Sequence, residues 1–273
     1  MKYNQINVII NSLPILAESV NLSQEGTQSP AYILNNKLPI DNIPQGIQNT
    51  INITYAIETN NEPNFLLISG WKNSPLTGNL QAIINIGNIH STGFLTNYSF
   101  SLSPNSPVVA QATYSVFHQI TGNFIAAESA DANLYNLKNS SGIAHFWTAS
   151  FQSGLAINVS TNNILQMNYD FNANITPHFA LGKVFPVQVT TLDASENINI
   201  TSELQKNIQF SGQTVQQLFS GINNLKLKNL SSNWDSTIYQ LDFPLSGFIS
   251  QNNRVNVSNN NLILFESQFS KNY

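Results

Sequence analysis

The side chains that could carry chemistry in this chain are few. The histidines are His90, His118, His145 and His178. No two of them stand at i,i+4 or a comparable metal-ligand spacing with a carboxylate nearby. Ser69-Gly70-Trp71-Lys72 fits the S-x-x-K pattern of acyl-transfer enzymes, but the companion S-D-N and K-T-G motifs are missing. Asp170, Asp193, Asp235 and Asp242 are too dispersed for a calcium loop. The sequence has no G-x-S-x-G, no phosphate-binding glycine loop and no dinucleotide fingerprint. With no cysteine, thiolate nucleophiles, disulfides and thiolate metal sites are excluded. The expectation is a non-enzyme with no catalytic residue, no cofactor and no metal.

Function must then come from what positions a polar, weakly charged surface. The chain has 273 residues, a net charge of −4 and only 9% charged residues, where soluble domains carry about 25%. Asparagine, serine, threonine and glutamine fill the deficit. Such a surface suits burial against other chains, where charges are costly to desolvate. The acidic balance argues against a dedicated nucleic-acid binder. No run of 18 apolar residues is present, so no membrane anchor is expected. The N-terminus, broken by Asn4, Asn7, Asn11 and Pro14, reads poorly as a signal peptide, which suggests synthesis in the cytoplasm.

The strongest pattern is internal. SPAYILNNKLPIDNIPQGIQNTINIT (29–54) recurs without a gap as TPHFALGKVFPVQVTTLDASENINIT (176–201), with seven identities in 26 positions at an offset of 147. Pro30 matches Pro177, Pro39 matches Pro186, and the run Ile51 to Thr54 matches Ile198 to Thr201. The prolines exclude a helix through the stretch and favour extended backbone. Strands are predicted at 50–55 and 197–202. ILAESVNLS (15–23) is further paired with GLAINVSTN (154–162), the latter leading through a turn at 161–163 to an alternating limb with Leu165, Met167, Tyr169 and Phe171.

Each copy then offers one helix. In the first it covers 61–73, with Phe65, Leu66 and Ile68 at helical spacing; in the second it covers 211–224. Gly70 and Gly221 fall where a C-terminal glycine belongs. Each copy closes with a hairpin, STGFL (91–95) aligning with LSGFI (245–249). In the first hairpin Phe94, Tyr98, Phe100 and Leu102 share one face, 104–107 turn the chain, and Val108, Ala110, Ala112, Tyr114 and Val116 return it. In the second, Val255 and Val257 lead to an Asn turn, and 262–269 return; Gln251–Asn256 is polar for a core strand.

The expected fold is therefore mainly β: a β-sandwich or barrel with one short helix per repeat, in two tandem similar domains at 1–118 and 147–273. Residues 119–146 between them read as a linker or as an arm that interlocks with a neighbouring subunit, with a short helix possible at 126–137. Phe124, Ile125, Leu134, Tyr135 and Leu137 are apolar enough to need a docking surface. Together with Tyr98, Phe100, Tyr114, Val257 and Phe265 they are the expected oligomer interface.

Two tandem β copies with one helix each, scarce charge and hairpins in the style of STGFLTNYSFSLS (91–103) and VVAQATYSVF (108–117) resemble the tail tube proteins of tailed bacteriophages, in the form whose tube domain is duplicated within one chain. The resemblance implies a structural virion protein of the tail, a major tail tube subunit. Three doubled subunits would close a trimeric, pseudo-sixfold ring, with sheet edges paired between neighbours. Stacked rings would enclose a channel that conducts genomic DNA without specific binding. Partners would be further copies of the chain and other tail proteins. A decoration, collar or baseplate protein is the near alternative. A carbohydrate-binding or adhesive β-sandwich pair is the alternative from another class, with Trp71, Trp147 and Trp234 as its candidate aromatics.

Overall fold

A computed structural model describes residues 8–31, 41–57, 61–74, 79–103, 106, 108–122, 147–153, 164–181, 183–204, 222–230, 237–244, 247–257 and 263–273. The chain is mainly β. Its strands are β1 (Val8–Ile10), β2 (Leu13–Ala31), β3 (Asp41–Ala56), β4 (Gln81–Ile86), β5 (Ile89–Leu102), β6 (Val109–Val116), β7 (Trp147–Ser153), β8 (Ile164–His178), β9 (Gln188–Leu204), β10 (Ile222–Leu230), β11 (Thr237–Pro244), β12 (Ile249–Val257) and β13 (Ile263–Asn272). One helix, α1 (Pro63–Asn73), is found among the described residues.

Ten strands form one sheet in the order β12-β13-β9-β8-β5-β4-β1-β2-β3-β6, and β6 also pairs with β5. The six strands from β5 round to β6 therefore close into a barrel, which removes their open edges. β8, β9, β13 and β12 continue the sheet outward from β5. A separate three-stranded sheet has the order β11-β10-β7.

Alternation of side chains fills the barrel. Ile10, Ile51, Ile53, Ile84, Leu95 and Tyr114 are all fully buried, each such side chain contributing about 1.5–3 kcal/mol relative to exposure. The hairpin from β1 to β2 turns through Asn11 and Ser12, with φ 50 and 67, the backbone that a two-residue hairpin requires. At Gly93 the strands approach so closely that an added Cβ would lie 2.9 Å from that of Tyr114.

β5 serves two neighbours along one edge. Phe94 and the residues before it pair with β4, and Asn97 to Leu102 pair with β8. A bulge between Leu95 and Asn97 marks the change. It also corrects the sequence reading: the inward residues are Leu95, Tyr98, Phe100 and Leu102, with Phe94 only half-buried on the other face, because one extra residue reverses the alternation.

The strands at 50–55 and 197–202 are present within longer ones. β2–β3 and β8–β9 are long hairpins, and their registers coincide. Every pair from Ala17↔Tyr55 to Ala31↔Asp41 reappears, with 147 added to both members, from Ile164↔Ser202 to His178↔Gln188. Both irregularities fall at the same places, after Ala17 and Thr27 in one hairpin and after Ile164 and Asn174 in the other. The same holds for β5–β6 and β12–β13 at an offset of 155: Phe94↔Ser115 becomes Ile249↔Ser270, and the bulge after Leu95 becomes the one after Ser250. β3–β6 and β9–β13 likewise correspond, Ile51↔Tyr114 with Ile198↔Phe269. The alignment of 91–95 with 245–249 is thus one residue out, since the pairing sets Phe94 against Ile249. Residues 15–23 likewise lie in the strand whose register partner is β8. Residues 154–162, with which they were paired, lie outside the described residues, and β7 just before them pairs with β10.

The helix predicted at 61–73 is observed as α1. Glu62 caps it, its carboxylate accepting from the Phe65 N–H, and Pro63 occupies the first turn, where no N–H is needed. Ile68 and Trp71 are buried, but Leu66 is 51% exposed. Gly70 lies inside the helix and Ser74 caps it, contrary to the expected glycine stop. The second predicted helix, 211–224, falls mostly outside the described residues, and its last three residues open strand β10.

Candidate assembly interface

The expected interface aromatics divide. Tyr98, Phe100, Tyr114 and Phe265 are buried within the chain's own core, so they do not form a subunit interface; a period-two pattern locates a buried face without saying what buries it. Phe100 packs on Tyr169, and Tyr98 on both. Val257, by contrast, is 73% exposed. Phe124, Ile125, Leu134, Tyr135 and Leu137, and the helix considered at 126–137, lie outside the described residues.

Among the described residues, the ten-stranded sheet leaves edges without a strand partner at β2 and β12, and exposed apolar side chains gather on the β8–β9 hairpin. β1 covers β2 only at Leu13 to Ile15, so the rest of that edge has no backbone partner among the described residues. β12 ends the sheet, paired on one side with β13. Its polar run 251–256 is explained by this place, since an edge strand with one solvated face need not be apolar. Long unpaired edges are templates for another strand.

The β8–β9 hairpin extends past its neighbours. β8 contacts β5 only through Met167 to Asn172, and β9 contacts β13 only from Ser195 onward. The remaining six or so residues of each limb could reach roughly 20 Å. At its end Phe179, Leu181, Val184, Phe185 and Val187 are all exposed, Leu181 completely, and Leu192 lies exposed on the returning limb. The Val187 N–H donates to the His178 carbonyl at 2.8 Å and the Lys183 N–H to Ala180 at 3.1 Å, so the tip is shaped by its own backbone. Contiguous exposed apolar side chains mark contact surfaces. Proline and aromatic residues within 176–187 were visible in the sequence, but burial was needed to find the tip.

Two buried acids hold α1 in place. Glu62 accepts from the Tyr55 hydroxyl; Asn64 donates to Tyr55 at 2.8 Å and accepts from Tyr114. Burial pushes the Glu62 carboxyl above its ordinary range, opposed by the hydrogen bonds from Tyr55 and from the backbone. Burial first, and the Glu62 charge second, push Tyr55, Tyr98 and Tyr114 well up. The Tyr98 hydroxyl is close enough to feel Glu62 but makes no hydrogen bond of ordinary geometry. On the other side of the helix Lys72 pairs with buried Glu196, which also accepts from Tyr169 at 2.5 Å and Tyr273 at 2.6 Å. Burial lowers the Lys72 ammonium and Glu196 opposes it. Trp71 packs edge-on against Phe171 and Tyr273. One helix thus ties the barrel to β8, β9 and Tyr273, the residue after β13.

This arrangement commits the S-x-x-K lysine to an ion pair. The described histidines do not converge: His90 meets Asn85 at 2.7 Å, His178 meets Thr190 at 2.8 Å, and His118 lies near Ser91. His145 lies outside the described residues. Among the described residues no three acidic or histidine side chains could share a metal. Trp71 is buried, so it offers no stacking face to a sugar; Trp147 lies in β7, and Trp234 is outside the described residues. The described helix is too short and too polar to cross a membrane.

The sequence matches no protein-family model and no curated protein.

Proposed function

We propose that the chain is a self-assembling structural subunit built from two repeats of one β unit, and that its role is that of a tail tube protein. The carrying observation is the shared register of β2–β3 with β8–β9 and of β5–β6 with β12–β13, bulges included. Independent hairpins have no reason to place each bulge at the same distance from the turn, whereas copies of one ancestral unit inherit it. The first unit meets the second through β5 and β8. The corresponding strands, β12 and β2, are the open ends of this arrangement.

A unit that joins its twin edge to edge and leaves the same two edges without a strand partner among the described residues is suited to repeat that junction with further copies. A heterologous contact of this kind closes into a ring or grows into a filament. The apolar hairpin tip then supplies a second surface, directed away from the sheet, by which rings would stack. A tail tube with a DNA-conducting channel is the assembly that this reading favours, and the scarce charge of the chain agrees with extensive buried interface.

Negative-stain microscopy of the purified protein at high concentration tests the role. Rings or hollow tubes are expected; a field of single compact particles at every concentration would remove it.

A further inference from the structure

The internal junction defines the geometry of the external one. Within the chain Asn97 to Leu102 of β5 pair antiparallel with Asn172 to Met167 of β8, Phe100 facing Tyr169 and Leu102 facing Met167. The register correspondence carries residues 97–102 to 252–257 and residues 167–172 to 20–25. We infer that β12 of one copy pairs antiparallel with β2 of a second copy, Val255 facing Leu22 and Val257 facing Val20. The proposal rests on self-association being the chain's role, and adds which strands meet and in what register.

The residues fit that placement. Where the internal seam sets Phe100 on Tyr169 and Leu102 on Met167, the external one sets valine on leucine and valine on valine, all on the same face. Val20, Leu22 and Val255 are half-buried and Val257 is mostly exposed, as expected of positions that a partner strand completes. On the opposite face Arg254 stands against Ser23 and Asn256 against Asn21, so no like charges oppose one another. A slip by one residue would set Val255 and Val257 against polar partners.

The chain has no cysteine, so introduced thiols report contacts cleanly. Directly opposed residues on antiparallel strands lie within disulfide reach. Leu22→Cys and Val255→Cys are made as separate chains, mixed and oxidised, with wild-type association followed by sedimentation. A covalent dimer formed by the mixture, and not by Leu22→Cys mixed with Ile249→Cys, is the expected result. Multimeric wild type that yields no such dimer, or yields it equally with Ile249→Cys, overturns the register while leaving self-assembly standing. Wild type that stays monomeric at all concentrations overturns both. Val257→Lys gives a second reading that needs no cross-link: the exposed position tolerates the change in the fold, and self-association should weaken at least tenfold. Unchanged association would contradict the proposal.

Discussion

Phe100 of β5 lies flat against Tyr169 of β8, ring centroids 5.2 Å apart at an interplanar angle of 25°. These two residues face each other across the seam where the barrel meets the outer strands. Both are buried, so the seam is a core and not a surface contact. Phe100→Ala should cost about 3–5 kcal/mol, read as a lower midpoint in denaturant unfolding. Tyr169→Phe keeps the ring and loses the hydroxyl bonded to Glu196; it should cost about 1.5–3 kcal/mol. Equal effects of the two substitutions would mean that ring packing is not what joins the halves.

Glu62 makes stability depend on pH. Its carboxyl is raised in the fold by burial, so the folded state holds the proton more tightly than the unfolded chain, where the group titrates near 4.5. Its contribution is complete below that pH and is lost as pH rises through the elevated folded value. Glu62→Gln removes the charge and retains an oxygen for the Phe65 N–H. The expected outcome, by calorimetry from pH 4 to 8, is a flatter Tm profile than wild type. Glu62→Ala instead strands the Tyr55 hydroxyl and the helix cap, and should lose about 1–3 kcal/mol at every pH. A Glu62→Gln profile parallel to wild type would refute the assignment.

Lys72 and Glu196 couple α1 to the outer strands. Lys72→Met leaves Glu196 buried with only the Tyr169 and Tyr273 hydroxyls, and should cost roughly 3 kcal/mol, at the low end for an orphaned buried charge because the lysine is partly exposed. Pairing it with Glu196→Gln should recover part of that loss. A double-mutant cycle with no coupling would show that the ion pair does not hold the helix.

The hairpin tip should matter for assembly and not for folding. Leu181 and Val187 are exposed and touch no core. Leu181→Asp with Val187→Asp should leave Tm within about 0.5 kcal/mol equivalent of wild type. Under the proposed role it should abolish stacking while ring-sized particles persist, as seen by microscopy and sedimentation. A marked fall in Tm would mean that the tip packs against its own chain.

Much of this organisation was legible in the residues themselves. The 147-residue offset, read from prolines and the Ile-Asn-Ile-Thr run, is the offset at which the two hairpins share their register. Helix α1 was visible because Phe65, Leu66 and Ile68 stand at helical spacing, although the Glu62 cap, the Pro63 start and the buried Trp71 emerged only from the structure. The bulge after Leu95 was not, since nothing in Leu95-Thr96-Asn97 announces an extra residue, and the reversal it causes misassigned Phe94. The second alignment went one residue out because Thr92-Gly93-Phe94 matches Ser246-Gly247-Phe248 by residue type at an offset the pairing does not use. Barrel closure depends on three residues of β1 and six of β4, runs too short for a periodicity argument. Tyr98, Phe100, Tyr114 and Phe265 were read as contact residues because alternation cannot distinguish a face buried by the same chain from one buried by another. The open edges and the tip emerged only from pairing and exposure.

Hydrogen exchange, compared between concentrated and dilute protein, tests most directly whether the free strand edges are joining surfaces. Peptides covering 19–26 in β2 and 249–257 in β12 should exchange markedly more slowly in the concentrated sample, while the barrel strands β3 and β6 remain unchanged. Identical exchange of both edge peptides in the two samples, with larger particles nevertheless present, would contradict the account.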